Sequence, residues 1–583
     1  MYSRPIPSAS RRTPAIPAGR AQVIGRRLRA LSAAGTEPNA GYGVLIASVL
    51  PNQNNSLRRF PVKTSRLLTV LVLCALVLPA FAADKPAAPP AAPTGAASAT
   101  PQESTTTGTV TVEGQTIHYK AVAGTIILKN KDDKPTGSMF YIAYFKEGAD
   151  AANRPVTFFY NGGPGSSTVW LHMGAFGPRR VVTEDHTHTP AAPYQLVNNQ
   201  YSLLDATDEV FIDAMGTGFS RILGKDEGGE GSGKDFYGVD QDARTFAQFV
   251  TRFLSQYGRW NSPKYLFGES YGTTRSAVLA NDLETNDDVD LNGVILLSAI
   301  LNFDLNADFP QINPGVDLPY AMMLPTFAAT AWYHHKLPNP PAELQPFLTQ
   351  VEQFAMNDYT KALQAGSTLD PAARQKMAEQ LHNYTGLPVS YLLKANLRVT
   401  GPQFEHELLN DNDDLTGRLD TRFSGPAMDP LAEEAAYDPQ SAAISSAYVS
   451  AFNDYVRKDL KFGEHMVYKP EINVFGEWDF KHQPPGAPFA LPFTPNVMPD
   501  LASAMIYNPD LKVLLNSGYF DLATPYYAAV YTMHHLPMPT RLQSNIQYAF
   551  YDSGHMVYAH LPSLKELHDK SAKFIESTHG SAP

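Results

Sequence analysis

The 583-residue sequence contains a single cysteine, Cys74, so no disulfide can form within the chain. Charged residues make up only 18% of the sequence, and the formal net charge is −11. A nucleic-acid-binding protein normally carries an excess of basic residues, so this balance argues against that class of function. The 43% of hydrophobic residues is typical of a globular protein with a sizeable core.

Two common ligand-binding motifs are incomplete in this sequence. His406-Glu407 begins the zinc motif His-Glu-x-x-His, but Asn410 stands where the second histidine is needed. Gly228 to Lys234 resembles a phosphate-binding loop, but Asp235 replaces the Ser or Thr that would bind magnesium. Neither motif therefore predicts a bound metal or phosphate, and the function predicted below needs no metal or organic cofactor.

The N-terminal region lacks an apolar run of the ~20 residues that a membrane-spanning helix needs. Basic residues precede a shorter run that ends in Ala80-Phe81-Ala82, which is the pattern of a secretory signal. We predict a signal peptide at 58–82, export to the periplasm or medium, and no stable membrane insertion after cleavage. Residues 1–57 are interpreted as an unstructured extension or a start assigned too far upstream. Residues 83–108, rich in Pro, Ala and Thr, are predicted to be a linker, with folded structure starting near Thr109.

After the linker, short apolar runs alternate with segments of helical periodicity. Val156 to Tyr160, Glu209 to Asp213 and Gly293 to Ser298 are too apolar for exposed strands. This alternation predicts an α/β protein with a mostly parallel central sheet flanked by helices. The alternation of strands and helices is lost between two predicted parts of the α/β core, 109–301 and 497–583. We interpret 302–496 as a mainly helical cap insertion over the sheet edge where ligands bind.

Gly268-Glu269-Ser270-Tyr271-Gly272 lies between a predicted strand and a predicted helix. In a turn this tight, serine adopts a strained backbone conformation that exposes its hydroxyl, and the glycines let strand and helix pass closely. The motif predicts Ser270 as a nucleophile. The loop Asn161 to Ser167 directly follows another apolar strand, and its backbone N–H groups are suited to half of an oxyanion hole.

A serine nucleophile needs a histidine base and a carboxylate that orients the base. Asp521 and His555 each follow a late predicted strand, in the order Ser, acid, His that α/β-hydrolases use. Asp552 is a rival acid, but it is only three residues from His555. Such a spacing seldom supports the base from behind.

Five motifs together resemble the serine carboxypeptidases, peptidase family S10 of the α/β-hydrolase superfamily, in the order found in that family. They are Asn161 to Ser167, Ile212 to Ser220, Gly268 to Gly272, Gly518 to Asp521, and Gly554 to Met556. The resemblance, which we interpret as one to a bacterial-type member, implies an α/β-hydrolase fold. It implies the triad Ser270, Asp521 and His555, and an oxyanion hole from the backbone N–H groups of Gly163 and Tyr271.

The resemblance also implies a binding site for the substrate's terminal carboxylate, formed by Asn161 and Glu269. Phe159, counted with them as substrate-binding, stands where the family usually has tryptophan, and Ala175 stands where a second glutamate is expected. Arg179 or Arg180 is a candidate cation that compensates for the missing acid. The family's disulfides cannot be present.

The expected function is that of an exported serine carboxypeptidase acting on peptides with a free C-terminus. Two alternatives remain: an esterase or acyltransferase with the same triad, and a catalytically inactive binding protein on the same fold. The side-chain preference and the oligomeric state are not predicted.

Overall fold

The computed structural model describes residues 98–579. The predicted extension 1–57 and signal peptide 58–82 lie outside the described residues, as does most of the predicted linker. The described strands are β1 Glu103–Val112, β2 Gln115–Lys129, β3 Pro135–Lys146, β4 Val156–Tyr160, β5 Arg179–Val181, β6 Leu196–Asn198, β7 Asp208–Ile212, β8 Arg221–Ile222, β9 Lys264–Glu269, β10 Gly293–Leu297, β11 Asp414–Thr416, β12 Ser424–Pro426, β13 Lys512–Gly518 and β14 Ile546–Tyr551.

Regular structure begins before the position expected from composition. Strand β1 starts at Glu103, inside the predicted linker range and six residues before Thr109. Its threonines favour extended backbone, and the whole strand pairs antiparallel with β2 at the edge of the sheet. Backbone pairing therefore orders a segment whose side chains are half-exposed and bury little apolar surface.

One large sheet organises the molecule, in the order β1-β2-β3-β7-β4-β9-β10-β13-β14, with β8 added to β3. The strands from β7 to β14 in this order pair in parallel, whereas β1, β2, β3 and β8 pair antiparallel. The prediction of a mostly parallel central sheet flanked by helices is confirmed, and the fold is that of an α/β-hydrolase.

The central strands are buried on both faces, and successive side chains alternate between two cores. In β4, Phe158 and Tyr160 enter one core and Phe159 enters the other. Leu266 and Phe267 of β9 divide in the same way. Because a strand points neighbouring side chains to opposite faces, continuous apolar runs such as Val156–Tyr160 fit a sheet covered on both sides.

Helices cover both faces of the sheet, and a group of them lies between β10 and β13. The described α-helices are α1 Val239–Tyr257, α2 Tyr271–Asn286, α3 Leu318–Tyr333, α4 Leu344–Phe354, α5 Thr360–Ala365, α6 Pro371–Thr385, α7 Val389–Lys394, α8 Gly401–Glu407, α9 Pro439–Lys458, α10 Met498–Tyr507, α11 Tyr526–His534 and α12 Leu561–Thr578. Helices α3 to α8 share a core of their own, which also includes Phe520 and Leu522 from the loop after β13. Within residues 98–579, no helix is both long and apolar enough to cross a membrane.

The turn between β9 and α2 requires glycine at two positions. A Cβ at Gly268 would lie 2.6 Å from the carbonyl carbon of Gly272 and closer still to its oxygen. A Cβ at Gly272 would lie 2.8 Å from the carbonyl oxygen of Tyr160. Both positions leave no room for a side chain, because the obstructing atoms belong to the backbone of adjacent elements.

We predict that Gly268→Ala lowers the free energy of unfolding by roughly 1–3 kcal/mol or more, since the new Cβ must displace backbone. Gly476→Ala is the matched control, because a Cβ there meets nothing within 4 Å. Thermal or denaturant unfolding midpoints measure the difference. Equal midpoints for the two variants would contradict the close approach at the turn.

Candidate active site

Ser270 lies at the turn between β9 and α2, as the motif predicts. Its backbone has φ 61° and ψ −129°, a conformation that serine rarely adopts. The Ser270 N–H donates a hydrogen bond to the carbonyl of Leu297 at the end of β10 (3.0 Å). The turn is thereby fixed to the neighbouring strand while the side chain remains half-buried.

Asp521 and His555, from the loops after β13 and β14, are in direct contact. Nδ1 of His555 and Oδ2 of Asp521 are 2.9 Å apart, and the carboxylate is completely buried. Thr524 donates its backbone N–H to Oδ1 of Asp521 (2.9 Å) and its hydroxyl to Oδ2 (2.7 Å). The rival acid Asp552 is exposed. The geometry therefore favours Asp521 as the carboxylate that orients His555.

The Asp521 carboxylate changes the proton affinity of the His555 ring. Burial disfavours the imidazolium, but the charge of Asp521 and its hydrogen bond outweigh burial and raise the pKa of His555 above its usual value. The arrangement therefore stabilises the protonated ring that forms when a histidine base accepts a proton.

The end of β10 connects the turn of Ser270 to the loop of His555, because Leu297 accepts the Ser270 N–H and Ser298 follows directly. The residue after Leu297, Ser298, donates its hydroxyl to the backbone carbonyl of His555 (2.7 Å). Among the described residues, no hydrogen bond joins the Ser270 hydroxyl to the His555 ring. With Nδ1 held by Asp521, Nε2 is the ring nitrogen left for a serine proton.

The loop after β4 lies directly against the turn that carries Ser270. A Cβ at Gly162 would lie 2.7 Å from the backbone nitrogen of Gly272 and closer still to that of Tyr271. Within residues 98–579, the N–H groups of Gly163 and Tyr271 donate to no protein acceptor. The structure therefore brings together the two loops expected to form the oxyanion hole.

A buried ion pair holds the loop after β4 in place. Arg275 of α2 donates to the carbonyl of Asn161 (2.8 Å) and pairs with Asp242 of α1 (2.7 Å). Both charged side chains are almost completely buried, so removing either partner would leave an uncompensated charge. The pair links two helices to the loop that faces Ser270.

An extended segment, residues 469–478, supports the other side of this loop. The Ser167 N–H donates to the carbonyl of Pro470 (2.9 Å), and the Ile472 N–H donates to the carbonyl of Gly165 (2.8 Å). Trp478 packs edge-on against the ring of Tyr271, with centroids 5.3 Å apart. We call residues 469–478 the bracing segment.

Glu269 is buried next to Ser270, and the side chains of Tyr558 and Asn161 interact with it. The hydroxyl of Tyr558 donates to Oε2 (2.9 Å) and lies 3.2 Å from Oε1. Burial raises the pKa of Glu269 to about 7, while the charge of His555, the Tyr558 hydroxyl and the Asn161 side chain act in the opposite direction. Glu269 can therefore be a neutral hydrogen-bond donor at mildly acidic pH.

Three other residues considered from sequence form no hydrogen bond with Ser270, Asp521, His555 or Glu269 within residues 98–579. Phe159 is completely buried and stacks against Phe211 and Phe267, so its side chain packs in the core, and its role in substrate binding stays a prediction. The Arg179 charge acts to lower the pKa values of Tyr119 and Tyr455, which belong to a different group of tyrosines. The Arg180 charge acts on Tyr448 and is not in direct contact with Glu269.

Sequence reasoning missed several supporting residues. Thr524 and Tyr558 each lie three residues after a predicted triad member, and this spacing is the only signal for them. The loop 417–423 of the cap insertion carries no motif. Nevertheless, its Leu419 carbonyl accepts the His555 N–H (2.6 Å), and its Asp420 carboxylate accepts the Gly554 N–H (3.1 Å). This loop fixes the backbone of the candidate base.

No group of three or more His, Cys, Asp or Glu side chains within residues 98–579 is arranged to hold a metal ion. The site's polar groups are instead a hydroxyl, an imidazole, two carboxyl groups and unpaired amide N–H groups. This is the set of groups that acyl transfer through a serine uses.

Comparison with known proteins identifies the family that this region resembles. The model of the serine carboxypeptidase family matches residues 113–333. The match supports a relationship to the serine carboxypeptidases, peptidase family S10. It includes Asn161 to Ser167 and Ser270 but ends before Asp521 and His555, whose placement depends on the geometry above.

Individual relatives each match about 30% of the chain. Serine carboxypeptidase-like 36 of Arabidopsis thaliana is 28% identical over 187 residues, which cover 30% of this chain and 35% of that protein. Pheromone-processing carboxypeptidase kex1 of Schizosaccharomyces japonicus (strain yFS275 / FY16936) is 27% identical over 169 residues, 29% of each chain. The matches thus span about a third of the relatives' length. These relatives are plant and fungal, so the bacterial type stays a prediction.

Among solved structures, the prohormone-processing carboxypeptidase Kex1Δp from Saccharomyces cerevisiae is similar, with 18% sequence identity and a TM-score of 0.46. The similarity covers 78% of this chain and 91% of that structure.

We predict that Asp521→Asn lowers kcat by about 10³- to 10⁴-fold, because an amide cannot stabilise the imidazolium of His555. Asp552→Asn is the matched control, since it neutralises the rival acid three residues from the same histidine, and it should keep kcat within about twofold. Steady-state kinetics on both variants test the assignment. A larger loss in Asp552→Asn would contradict it.

Proposed function

We propose that this protein is an exported serine carboxypeptidase that removes C-terminal residues from peptides through an acyl-enzyme on Ser270. The observation that carries the proposal is the buried, protonatable Glu269 beside Ser270, at a strand end adjacent to the Asp521–His555 pair. Glu269 provides recognition of a free carboxylate, and His555, paired with Asp521, provides a base for acyl transfer.

The proposed reaction assigns a step to each of these groups. The Ser270 oxygen attacks the carbonyl carbon of the last peptide bond while Nε2 of His555 takes the hydroxyl proton. The amide N–H groups of Gly163 and Tyr271 donate to the resulting oxyanion. The C–N bond then breaks as His555 returns the proton to the leaving amine, and a water activated by His555 hydrolyses the acyl-enzyme.

Recognition of the substrate's terminal carboxylate depends on the protonation of Glu269. Below its pKa of about 7 the side chain is neutral, and its O–H can donate to a carboxylate. Above that pH the ionised side chain repels the same carboxylate. The Asn161 side chain, which interacts with Glu269, supplies a second neutral donor.

The buried Ala175 favours a second candidate, an esterase or acyltransferase with the same triad, because its side chain offers no second carboxyl group. In that case the enzyme would not distinguish a free C-terminus from a blocked one. The two candidates share the chemistry at Ser270 and differ in the group bound beside Glu269.

A pair of matched substrates separates these candidates. We expect an N-blocked dipeptide with a free C-terminus to have a kcat/KM at least about 100-fold higher than its C-terminal amide, because only the acid pairs with Glu269 and Asn161. A fluorophosphonate should label the wild type and not Ser270→Ala. Equal rates on the two peptides would reject carboxypeptidase selectivity, and absent labelling would reject the hydrolase.

We also predict that KM for the free-acid peptide rises as the pH increases through about 7, since Glu269 loses its proton there. KM measured from pH 5 to pH 8.5 in constant ionic strength tests this. The amide substrate is the control, because it carries no carboxylate. A KM for the acid that does not change with pH would contradict the role of Glu269.

A further inference from the structure

Tyr558 is a buried side chain of the candidate site that no motif accounts for. It belongs to a short 3-10 helix, Val557–Ala559, directly after His555, and only 3% of it is exposed. Its hydroxyl reaches both oxygens of Glu269, at 2.9 Å from Oε2 and 3.2 Å from Oε1. The same loop thus carries the candidate base and a donor to the candidate carboxylate-binding acid.

The ring of Tyr558 packs against Gly174, the residue before Ala175, where a second acid was expected. A Cβ at Gly174 would lie 2.7 Å from Cδ2 of Tyr558 and 2.6 Å from the hydroxyl of Tyr448. The backbone next to Ala175 is therefore in contact with both tyrosine rings. A methyl side chain at 175 cannot hydrogen-bond with Glu269, whereas the phenol hydroxyl does.

A phenol and a carboxyl group act differently as partners of Glu269. Two carboxyl groups share protons and titrate together. Burial raises the pKa of Tyr558 well above its ordinary value, so its hydroxyl stays neutral over the pH range in which Glu269 titrates. Tyr558 therefore adds no second titrating carboxyl group beside Glu269.

Other charged and titratable groups also face Glu269. His555 and Asp521 approach from the loops after β14 and β13, and Tyr448 approaches from α9. Arg180 acts on Tyr448 from the strand β5. The donor bonded to the carboxyl oxygens, however, is Tyr558.

We propose that Tyr558 is a positioning residue that takes the place of the second acid in carboxylate recognition. Its O–H donates to one oxygen of Glu269, which leaves the proton on the other oxygen free to donate to the substrate's terminal carboxylate. The inference rests on the proposed carboxypeptidase function and adds that recognition uses one titrating acid and one permanently neutral phenol.

The test is Tyr558→Phe, which keeps the ring and removes only the hydroxyl. KM for the free-acid peptide should rise about 5- to 20-fold at pH 5.5, because Glu269 is no longer held in place. Its rise with pH should move to higher pH, since a hydrogen bond that favours ionised Glu269 is lost. The kcat and the rate of fluorophosphonate labelling should stay within about threefold, which also reports that the variant is folded.

The matched control is Tyr265→Phe, which removes a buried tyrosine hydroxyl bonded at the opposite end of β9, to Thr578 (2.8 Å). It should leave KM and its pH profile unchanged. In a second variant, Glu269→Gln, the amide can accept from Tyr558 and donate to the substrate at every pH, so KM should become independent of pH.

The outcomes distinguish this inference from the proposed function. If the wild type prefers the free-acid peptide but Tyr558→Phe has the KM and pH profile of Tyr265→Phe, only the role of Tyr558 is overturned. A pH-dependent KM in Glu269→Gln would also overturn the role of Tyr558, because Glu269 would then not be the titrating acid. If the wild type treats acid and amide peptides alike, the carboxypeptidase proposal fails and the inference fails with it.

Discussion

The close approach of two backbone segments, at Gly162 and at Tyr271, is the constraint on which the site depends. Neither segment can be displaced without moving a strand, because each directly follows a buried strand of the parallel sheet. The approach excludes side chains from the space between the loops. The amide groups of Gly163 and Tyr271 have no protein acceptors in the part of the chain described here.

Charge and packing maintain this approach from opposite sides. Arg275 and Asp242 fix the Asn161 loop from the helices beneath it, where the low-dielectric surroundings make an unpaired charge costly. The bracing segment 469–478 adds two backbone hydrogen bonds and the Trp478–Tyr271 contact from the outside. The site is therefore held rigidly before any substrate binds, as catalysis by fixed dipoles requires.

Sequence reasoning recovered the fold class and the strand–turn–helix around Ser270, because both follow from local patterns. Apolar runs predict buried strands, and glycine at 268 and 272 is needed where backbone atoms nearly touch. The direct contact of Asp521 with His555 agrees with their expected positions after late strands. Two features were not evident from the sequence: Phe159 lies in the core, and the first strand begins at Glu103. Both depend on what pairs or packs across the sheet, which a linear pattern does not contain.

Supports that come from distant parts of the chain were not predictable. The carbonyl of Leu419 and the carboxylate of Asp420 reach the His555 loop from within the cap insertion, about 135 positions earlier in the chain. A backbone carbonyl has no sequence signature, so only the coordinates identify such a contact.

The bonds from loop 417–423 to the His555 loop change how the cap insertion should be regarded. The predicted cap insertion is not an accessory that can be exchanged freely, because part of it supports the backbone of the candidate base His555. A chimaera that transplants another enzyme's cap would have to retain this loop and the bracing segment. The helices α3 to α7 lie between β10 and those two fixed points along the chain, so they can vary without removing these contacts.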